Sequence, residues 1–438
     1  MLKTERYIGV KMNVLLKIRR AVSLISVLVL LFSVFILSSC GKTENTEDES
    51  SETQASAGQI VNGVVEGSGG WLYYASTLGD YTGENNSSDR KIYNAAHNIS
   101  LMQKYCESKG ISFVFAAAPN KNSIYYENMP DSYVRNTENG NIERFHRHLD
   151  EMNVSYVDLL SLFSDSDEQL YLKTDSHWNT AGAAKAYDAL LGKIGKDHIS
   201  YDSIPFSEPE IITGDLAKAL SPEKPVTEEN ITYDTDFLYE YKNQVSSVED
   251  ALILTESSQG KGSLLMFRDS FGNSLLPFMA DSFSSACFSK GVPYLLGRFI
   301  SVYSPDTVIV EVAQRNLSDY AVAPPVFSAM ETKLPETVTE NNGISASVNV
   351  KKSMNDMDFL QIYGKIEGDE SFTGVIAEVN GICYEAFTVT DTEGDYSFLL
   401  YLNKDILSGN EADITVYAVS DGEAVKASEY TVNVREIQ

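Results

Sequence analysis

The sequence predicts an α/β domain, a parallel sheet between two helical layers, followed by a small all-β sandwich. Between residues 61 and 325 helical and strand patterns alternate, as strands joined by crossover helices do. Beyond Pro324-Pro325 the helical period gives way to short alternating runs. Upstream, a polar stretch almost free of apolar residues sets both apart from the N-terminus. These shifts divide the 438 residues into a leader (1–39), an acidic tether (40–60), the α/β domain (61–330) and the sandwich (340–438).

In the leader, Lys11, Lys17, Arg19 and Arg20 precede an apolar run over 21–37 that ends at Leu37-Ser38-Ser39-Cys40-Gly41. A basic region, an apolar core and small residues make a secretory signal. Small residues before a cysteine resemble a bacterial lipobox, which implies cleavage before Cys40 and a lipid-modified cysteine at the mature N-terminus. An uncleaved signal anchor is the alternative, for which the run is marginal against the roughly 20 residues of a membrane span. Residues 42–59 are rich in Glu, Ser and Thr. They cannot bury enough surface to fold and read as a disordered tether.

Formal charge is −28, and removal of residues 1–39, with six Lys/Arg and one Glu, makes it −33. A chain this acidic argues against nucleic acid and against docking on anionic lipid. Beyond Cys40 the cysteines are Cys106, Cys287 and Cys383. An odd number so far apart is no disulfide framework, and three buried thiols are the expectation.

In chain order, residues 91–110 carry Ile92, Ala95, Ala96, Ile99, Met102 and Tyr105 near helical spacing, with Gly110 as a stop. Residues 111–118 form a continuous apolar run ended by Pro119, the pattern of a strand buried on both faces. A helix follows over 142–152, a strand over 154–159 and a strong helix over 179–194, with Ala181, Ala184, Tyr187, Leu190 and Leu191 on one face. Residues 204–260 are less regular and read as an insertion or lid. Residues 264–267 and 307–312 are further strands. Past 344, runs such as Phe359-Leu360-Gln361-Ile362-Tyr363 and Asp413-Ile414-Thr415-Val416-Tyr417, with the turn Asp421-Gly422, predict an antiparallel sandwich. Its role is spacing, docking or carbohydrate contact.

Chemistry concentrates in two segments. Asp175-Ser176-His177-Trp178-Asn179 puts a carboxylate two positions before one of only five histidines, just ahead of the 179–194 helix. Some ninety residues later Arg268-Asp269-Ser270-Phe271-Gly272 puts a serine where a strand gives way to a turn. A carboxylate, an imidazole and a hydroxyl are the parts that activate a nucleophile for acyl transfer. Pro119-Asn120-Lys121 follows another strand and belongs on the same sheet edge, where open α/β sheets place ligands. Each piece has a plainer reading. The Asp-x-His pair can be a metal pair or a satisfied loop contact, and Ser270 can be an N-cap. A metal needs more ligands, and no His or Cys cluster supplies them.

Several ordered blocks add context: Gly69-Gly70-Trp71-Leu72-Tyr73-Tyr74 with Asp80-Tyr81-Thr82-Gly83; Pro119-Asn120-Lys121 with Ile124-Tyr125-Tyr126-Glu127-Asn128-Met129-Pro130; Asp175-Ser176-His177-Trp178-Asn179; Gly214-Asp215-Leu216; and Arg268-Asp269-Ser270-Phe271. In these the chain resembles the alginate O-acetyltransferase-like (AlgX/AlgJ-type) proteins and their Gram-positive relatives, named for an Asp-His-His-Trp signature. They belong to the SGNH hydrolase-like superfamily. The resemblance spans about 65–325 and leaves the sandwich, expected to be Ig-like, outside it. It implies a three-layer, flavodoxin-like sheet, Ser270 as acetyl-accepting nucleophile, His177 as general base and Asp175 as its orienter. Ser176 departs from the second signature position, which bears on subfamily and substrate more than on mechanism. Candidates for oxyanion or substrate contact are the Phe271 N–H, Asn273, Arg298, Arg315, Asn120, Lys121 and Trp178. Arg315 can equally form an ion pair with Glu311, and Trp178 and Trp71 can be sugar platforms or core.

The resulting expectation is an extracytoplasmic, lipid-anchored enzyme moving acetyl groups onto or off a cell-surface or secreted polysaccharide, transferase before esterase, with no cofactor. By the resemblance alone it needs a membrane-bound acyl-exporting O-acyltransferase as partner. The alternative is a non-catalytic polysaccharide-binding or assembly lipoprotein on the same fold.

Overall fold

The computed structural model describes residues 58–434 apart from 137, 139, 341–342, 369–370, 391–395 and 408–410. The expected signal, Cys40 and the tether up to residue 57 lie outside the described residues. Among those described, no helix is long and apolar enough to cross a membrane. Cys106, Cys287 and Cys383 are free thiols, the first two buried and the third half-buried.

The described residues open with a three-stranded sheet of β1 (Ile60–Val61), β2 (Val64–Glu66) and β3 (Leu72–Tyr74). The central sheet holds β4 (Ser112–Ala118) and β5 (Tyr156–Val157). A short hairpin, β6 (Glu210–Ile212) with β7 (Glu228–Asn230), stands apart. The sheet then resumes with β8 (Tyr239–Tyr241), β9 (Leu252–Ser257), β10 (Ser263–Arg268), β11 (Ser285–Lys290) and β12 (Thr307–Ala313). Its order is β5-β4-β12-β10-β11-β9-β8.

The expected α/β architecture is present, with one correction. The first five strands are parallel, but β9 and β8 run antiparallel at the edge, so the sheet is mixed. Burial explains the division. Strands β4, β10 and β12 are covered almost continuously, whereas β9 alternates between covered and open positions, as a strand with one solvated face does. The stretch 204–260, expected to be irregular, thus supplies four short strands.

Side chains of the central strands point alternately into two apolar layers. Val114, Ala116, Leu264 and Met266 meet the helices Thr180–Lys193 and Gly272–Ser282 on one face. Phe113, Phe115, Leu265 and Phe267 meet the helices Asp89–Glu107, Asn141–Glu151 and Leu296–Tyr303 on the other. Helix Asp89–Glu107 starts at Ser88, whose side chain accepts the Lys91 N–H.

The C-terminal domain is a sandwich around Leu360, Ile362, Val375, Ala377, Leu400 and Ile414. Strand Ile382–Thr388 pairs with Gly374–Val379 over its first five residues and with Phe398–Asn403 over its last two, and so joins the layers. Thr337–Glu340 pairs in parallel with Glu423–Asn433, so this sheet too is mixed. The sandwich shares core with the α/β part: Phe387, Val389, Leu399 and Tyr401 lie in the apolar layer of helix Asp89–Glu107. Polar contacts reinforce the seam. Asn98 donates to Thr388 O at 2.9 Å, and Glu385 lies 3.1 Å from Lys104 Nζ and 3.5 Å from His97 Nε2.

Candidate active site

The segment bearing His177 belongs to no sheet strand. A lone bridge between Tyr171 and Trp178 closes a loop over 172–177, and Asn179 caps the following helix by accepting the Gly182 N–H at 2.8 Å. Inside the loop Asp175 Oδ1 faces His177 Nδ1 at 2.7 Å and accepts the His177 N–H at 3.0 Å. Oδ2 accepts the Asp215 N–H at 2.9 Å. Burial opposes the charge on Asp175, yet the hydrogen bond and charge of His177 and the two backbone N–H groups outweigh it, holding the carboxyl below the usual range.

The serine turn is built differently. Strand β10 ends at Arg268, and Asp269 Oδ1 accepts the N–H of Phe271, two residues on, at 2.9 Å, the geometry of an Asx turn. Its other oxygen accepts the N–H of Ala313, the last residue of β12, at 2.7 Å and a hydrogen bond from Asn316 Nδ2 just beyond it at 3.1 Å. Glu311, fully buried on β12, accepts the Asp269 N–H at 3.3 Å and the Gly272 N–H. Burial lifts the Glu311 carboxyl well above its ordinary range. Residue 272 has to be glycine, since a Cβ would lie 2.6 Å from Arg268 Cβ and 2.8 Å from Glu311 Oε2.

The two segments meet where Ser270 Oγ lies 2.8 Å from His177 Nε2. With a carboxylate at Nδ1 the ring proton belongs there, leaving Nε2 to accept the Ser270 hydroxyl proton. Asp175, His177 and Ser270, 95 residues apart at the extremes, therefore form one continuous hydrogen-bonded chain. The Ser270 N–H makes no hydrogen bond among the described residues. The serine opens on a cleft of about 290 Å³ walled in part by Asn62, Tyr74, Ser176, Asp215 and Arg315.

Other expected residues sort themselves plainly. Arg315 reaches the cleft, its guanidinium 5.7 Å from the Tyr74 ring centre and 5.5 Å from that of Phe271. It makes no hydrogen bond or ion pair among the described residues; Glu311 turns instead to the serine turn. The Phe271 N–H is not free for an oxyanion, because Asp269 already takes it. Asn273 is likewise spent, bonded to Arg268 and to Glu249. Arg298 lies elsewhere, 3.4 Å from Asp356 in the sandwich. Asn120 is buried and donates to Asp80 at 3.0 Å. Lys121, also buried, gives its ammonium to backbone carbonyls of the His177 loop. Trp178 is 1% exposed and no sugar platform; its Nε1–H donates to Phe271 O at 3.1 Å and ties the two segments together. Trp71 is core as well.

Sequence reasoning gave no role to Ser176 or Asp215. Ser176 Oγ donates to Asp215 Oδ2 at 2.5 Å and lies 3.2 Å from His177 Nδ1, which Asp215 itself approaches at 3.8 Å. Residue 214 must be glycine to permit this: a Cβ would sit 2.1 Å from Thr174 O and 2.6 Å from the Asp175 nitrogen. Asp175, His177 and Asp215 offer ligand atoms within 4.8 Å of one another. In this structure every one of those atoms serves a hydrogen bond of the loop or of Ser270.

Comparison with known proteins adds family context. Residues 64–256 match the model of an SGNH hydrolase-like domain, acetyltransferase AlgX, a span that includes Asp175 and His177 and stops short of Ser270. Over 140 residues the chain is 28% identical to a probable alginate O-acetylase AlgJ of Pseudomonas syringae pv. tomato, covering 31% of this chain and 34% of that one. The chain thus spans about a third of the length of the curated relative it matches. Among solved structures, a DHHW family protein of Eubacterium siraeum is 18% identical with a TM-score of 0.43, covering 60% of this chain and 94% of its own. The O-acetyltransferase domain of Pseudomonas putida AlgJ is 18% identical with a TM-score of 0.40, covering 58% and 92%. Bacillus cereus PatB1 with a sulfonyl adduct is 16% identical with a TM-score of 0.46, covering 58% and 95%.

Proposed function

From the match of residues 64–256 to an SGNH hydrolase-like domain, acetyltransferase AlgX, we propose that this chain is a polysaccharide O-acetyltransferase working through an acetyl-Ser270 intermediate. The observation that carries the reading is the continuous contact Asp175–His177–Ser270 at 2.7 and 2.8 Å. Ser270 Oγ attacks the acetyl carbonyl of a donor while His177 Nε2 takes its proton, and Asp175 stabilises the imidazolium through Nδ1–H. The leaving group departs with the proton from Nε2. A sugar hydroxyl then repeats the attack on acetyl-Ser270 with His177 again as base; water in its place yields acetate, the esterase outcome. The Ser270 N–H and the guanidinium of Arg315 are the groups at this edge left to receive developing negative charge.

The leader ending at Cys40 supports secretion and lipid anchoring, and an acetyl donor outside the cell calls for a membrane-bound acyl-exporting partner. The test is turnover and intact-mass analysis with a chromogenic acetyl ester, with and without acceptor glycan, wild type beside Ser270→Ala. The expected result is an acetyl adduct in the wild type alone and a loss of about 10⁴-fold or more in the variant. Equal glycan binding with no acyl chemistry in either protein would instead make this a binding lipoprotein.

A further inference from the structure

We propose that Lys121 and Glu228 are positioning residues that grip the loop carrying Asp175 and His177 from opposite sides. The inference rests on the reading of that loop as acid–base machinery and adds what fixes its geometry.

The peptide groups of this loop face two ways. The carbonyls of Leu172, Lys173 and Asp175 converge on Lys121 Nζ at 3.0, 2.9 and 2.6 Å. An ammonium has three donors and no acceptor, so these contacts use it completely. On the opposite side the N–H groups of Lys173 and Thr174 meet the Glu228 carboxylate at 2.8 and 2.7 Å, and Thr174 Oγ1 donates to it at 2.5 Å. A cation faces the carbonyl ends and an anion faces the N–H ends of one short run of peptides. Both sets of bonds are charge-assisted, the stronger class of hydrogen bond.

Packing alone does not account for this. Lys121 is 4% exposed, and an apolar side chain would fill that site without the desolvation cost of a buried charge. One of its three acceptors belongs to Asp175 itself. The partner residue comes from the β6–β7 hairpin, in the stretch that reads from sequence as an insertion or lid. Two residues past Glu228, Asn230 Oδ1 accepts the N–H and the hydroxyl of Thr180, each at 3.2 Å, just beyond the His177 loop. The hairpin thus grips the segment 173–180 at both ends. It works as a clamp.

Burial lowers the Lys121 ammonium to about 7, against the charges of Asp175, Asp215 and Glu228 that raise it, with the rings of Trp71 and Tyr73 beside it. A neutral amine would present two N–H groups and a lone pair to three carbonyls. Rate should therefore fall on the alkaline side, and removal of the Glu228 charge should move that limb to lower pH.

The test uses the full protein with Glu228→Gln, which keeps the shape and loses the charge, and with Lys121→Met. Glu229→Gln on the same hairpin is the control, since that residue is exposed. Glu228→Gln should lower kcat about 10- to 100-fold, the scale of a small misplacement of a catalytic group, with KM little changed and the alkaline limb displaced downward. Hydrogen exchange across 172–178 should quicken in both variants and not in the control. Unchanged kcat, pH limb and exchange in Glu228→Gln would overturn the clamp, as would a rate loss matched by the unfolded fraction. Exchange is read without turnover. If the wild type shows no Ser270-dependent chemistry, the proposed function fails while the exchange result still decides the clamp.

Discussion

The serine turn over 268–273 grows out of a strand covered on both faces and is held by its own Asp269 and by Glu311 of the adjacent strand β12. The His177 loop over 172–177 grows out of no strand and is held by side chains reaching in from Lys121, Asp215 and Glu228. One half of the site is thus an extension of the core, formed whenever the sheet forms. The other is assembled on top of the core by polar contacts. Damage to the first should be felt as instability, and damage to the second as lost rate in a protein that stays folded.

Glu311→Ala carries the largest expected effect on stability. It leaves the Asp269 and Gly272 N–H groups without their buried acceptor, a loss of about 3–4 kcal/mol in denaturant unfolding. Activity should follow the folded fraction. A variant that keeps wild-type stability and loses turnover would break the contrast.

Gly214→Ala comes next. Its Cβ would press on the Thr174–Asp175 peptide and should lower kcat about 100-fold, equivalent to about 2.7 kcal/mol of barrier, with a smaller change in melting temperature. A melting temperature that falls in step with the rate would put the loop in the core class with the serine turn.

Glu385→Gln, in the seam between domains, should do least. Burial opposes the Glu385 charge, but the hydrogen bonds and charges of His97 and Lys104 prevail and bring the carboxyl down to about 2. Such a depressed group stabilises the fold above its unfolded value of about 4.3 and loses that contribution as pH falls through about 2. The variant should lose about 1 kcal/mol at neutral pH, show a shallower decline in acid and keep full activity. A change in kcat would mean that the seam reaches the site.

The parts of this site legible in the sequence are those coded locally. Asp175 and His177 are two residues apart, Ser270 sits at a strand end, and the periodicity of 91–118 and 179–194 fixed their elements. Glu228 and Asp215 lie 54 and 39 positions from the loop groups they bind, and nothing in an exposed-looking hairpin announces such contacts. Arg298 was misplaced for the same reason, its partner Asp356 lying in the other domain. The engagement of the Phe271 N–H is coded locally, since an aspartate two residues before it is an Asx-turn signal. Trp178 was ambiguous by composition, since a tryptophan near a site serves equally as platform or strut. Strands β9 and β11 carry little signal because each holds only a three-residue apolar run, Leu252-Ile253-Leu254 and Ala286-Cys287-Phe288.

The apolar seam that places Phe387, Val389, Leu399 and Tyr401 in one layer with helix Asp89–Glu107 also limits modularity. A sandwich that buries part of its neighbour's core cannot be exchanged like a bead on a string. Recombination between residues 330 and 340 would join the parts and leave a hydrophobic scar on each, so the two domains can change only together, by matched substitutions on both sides of the seam.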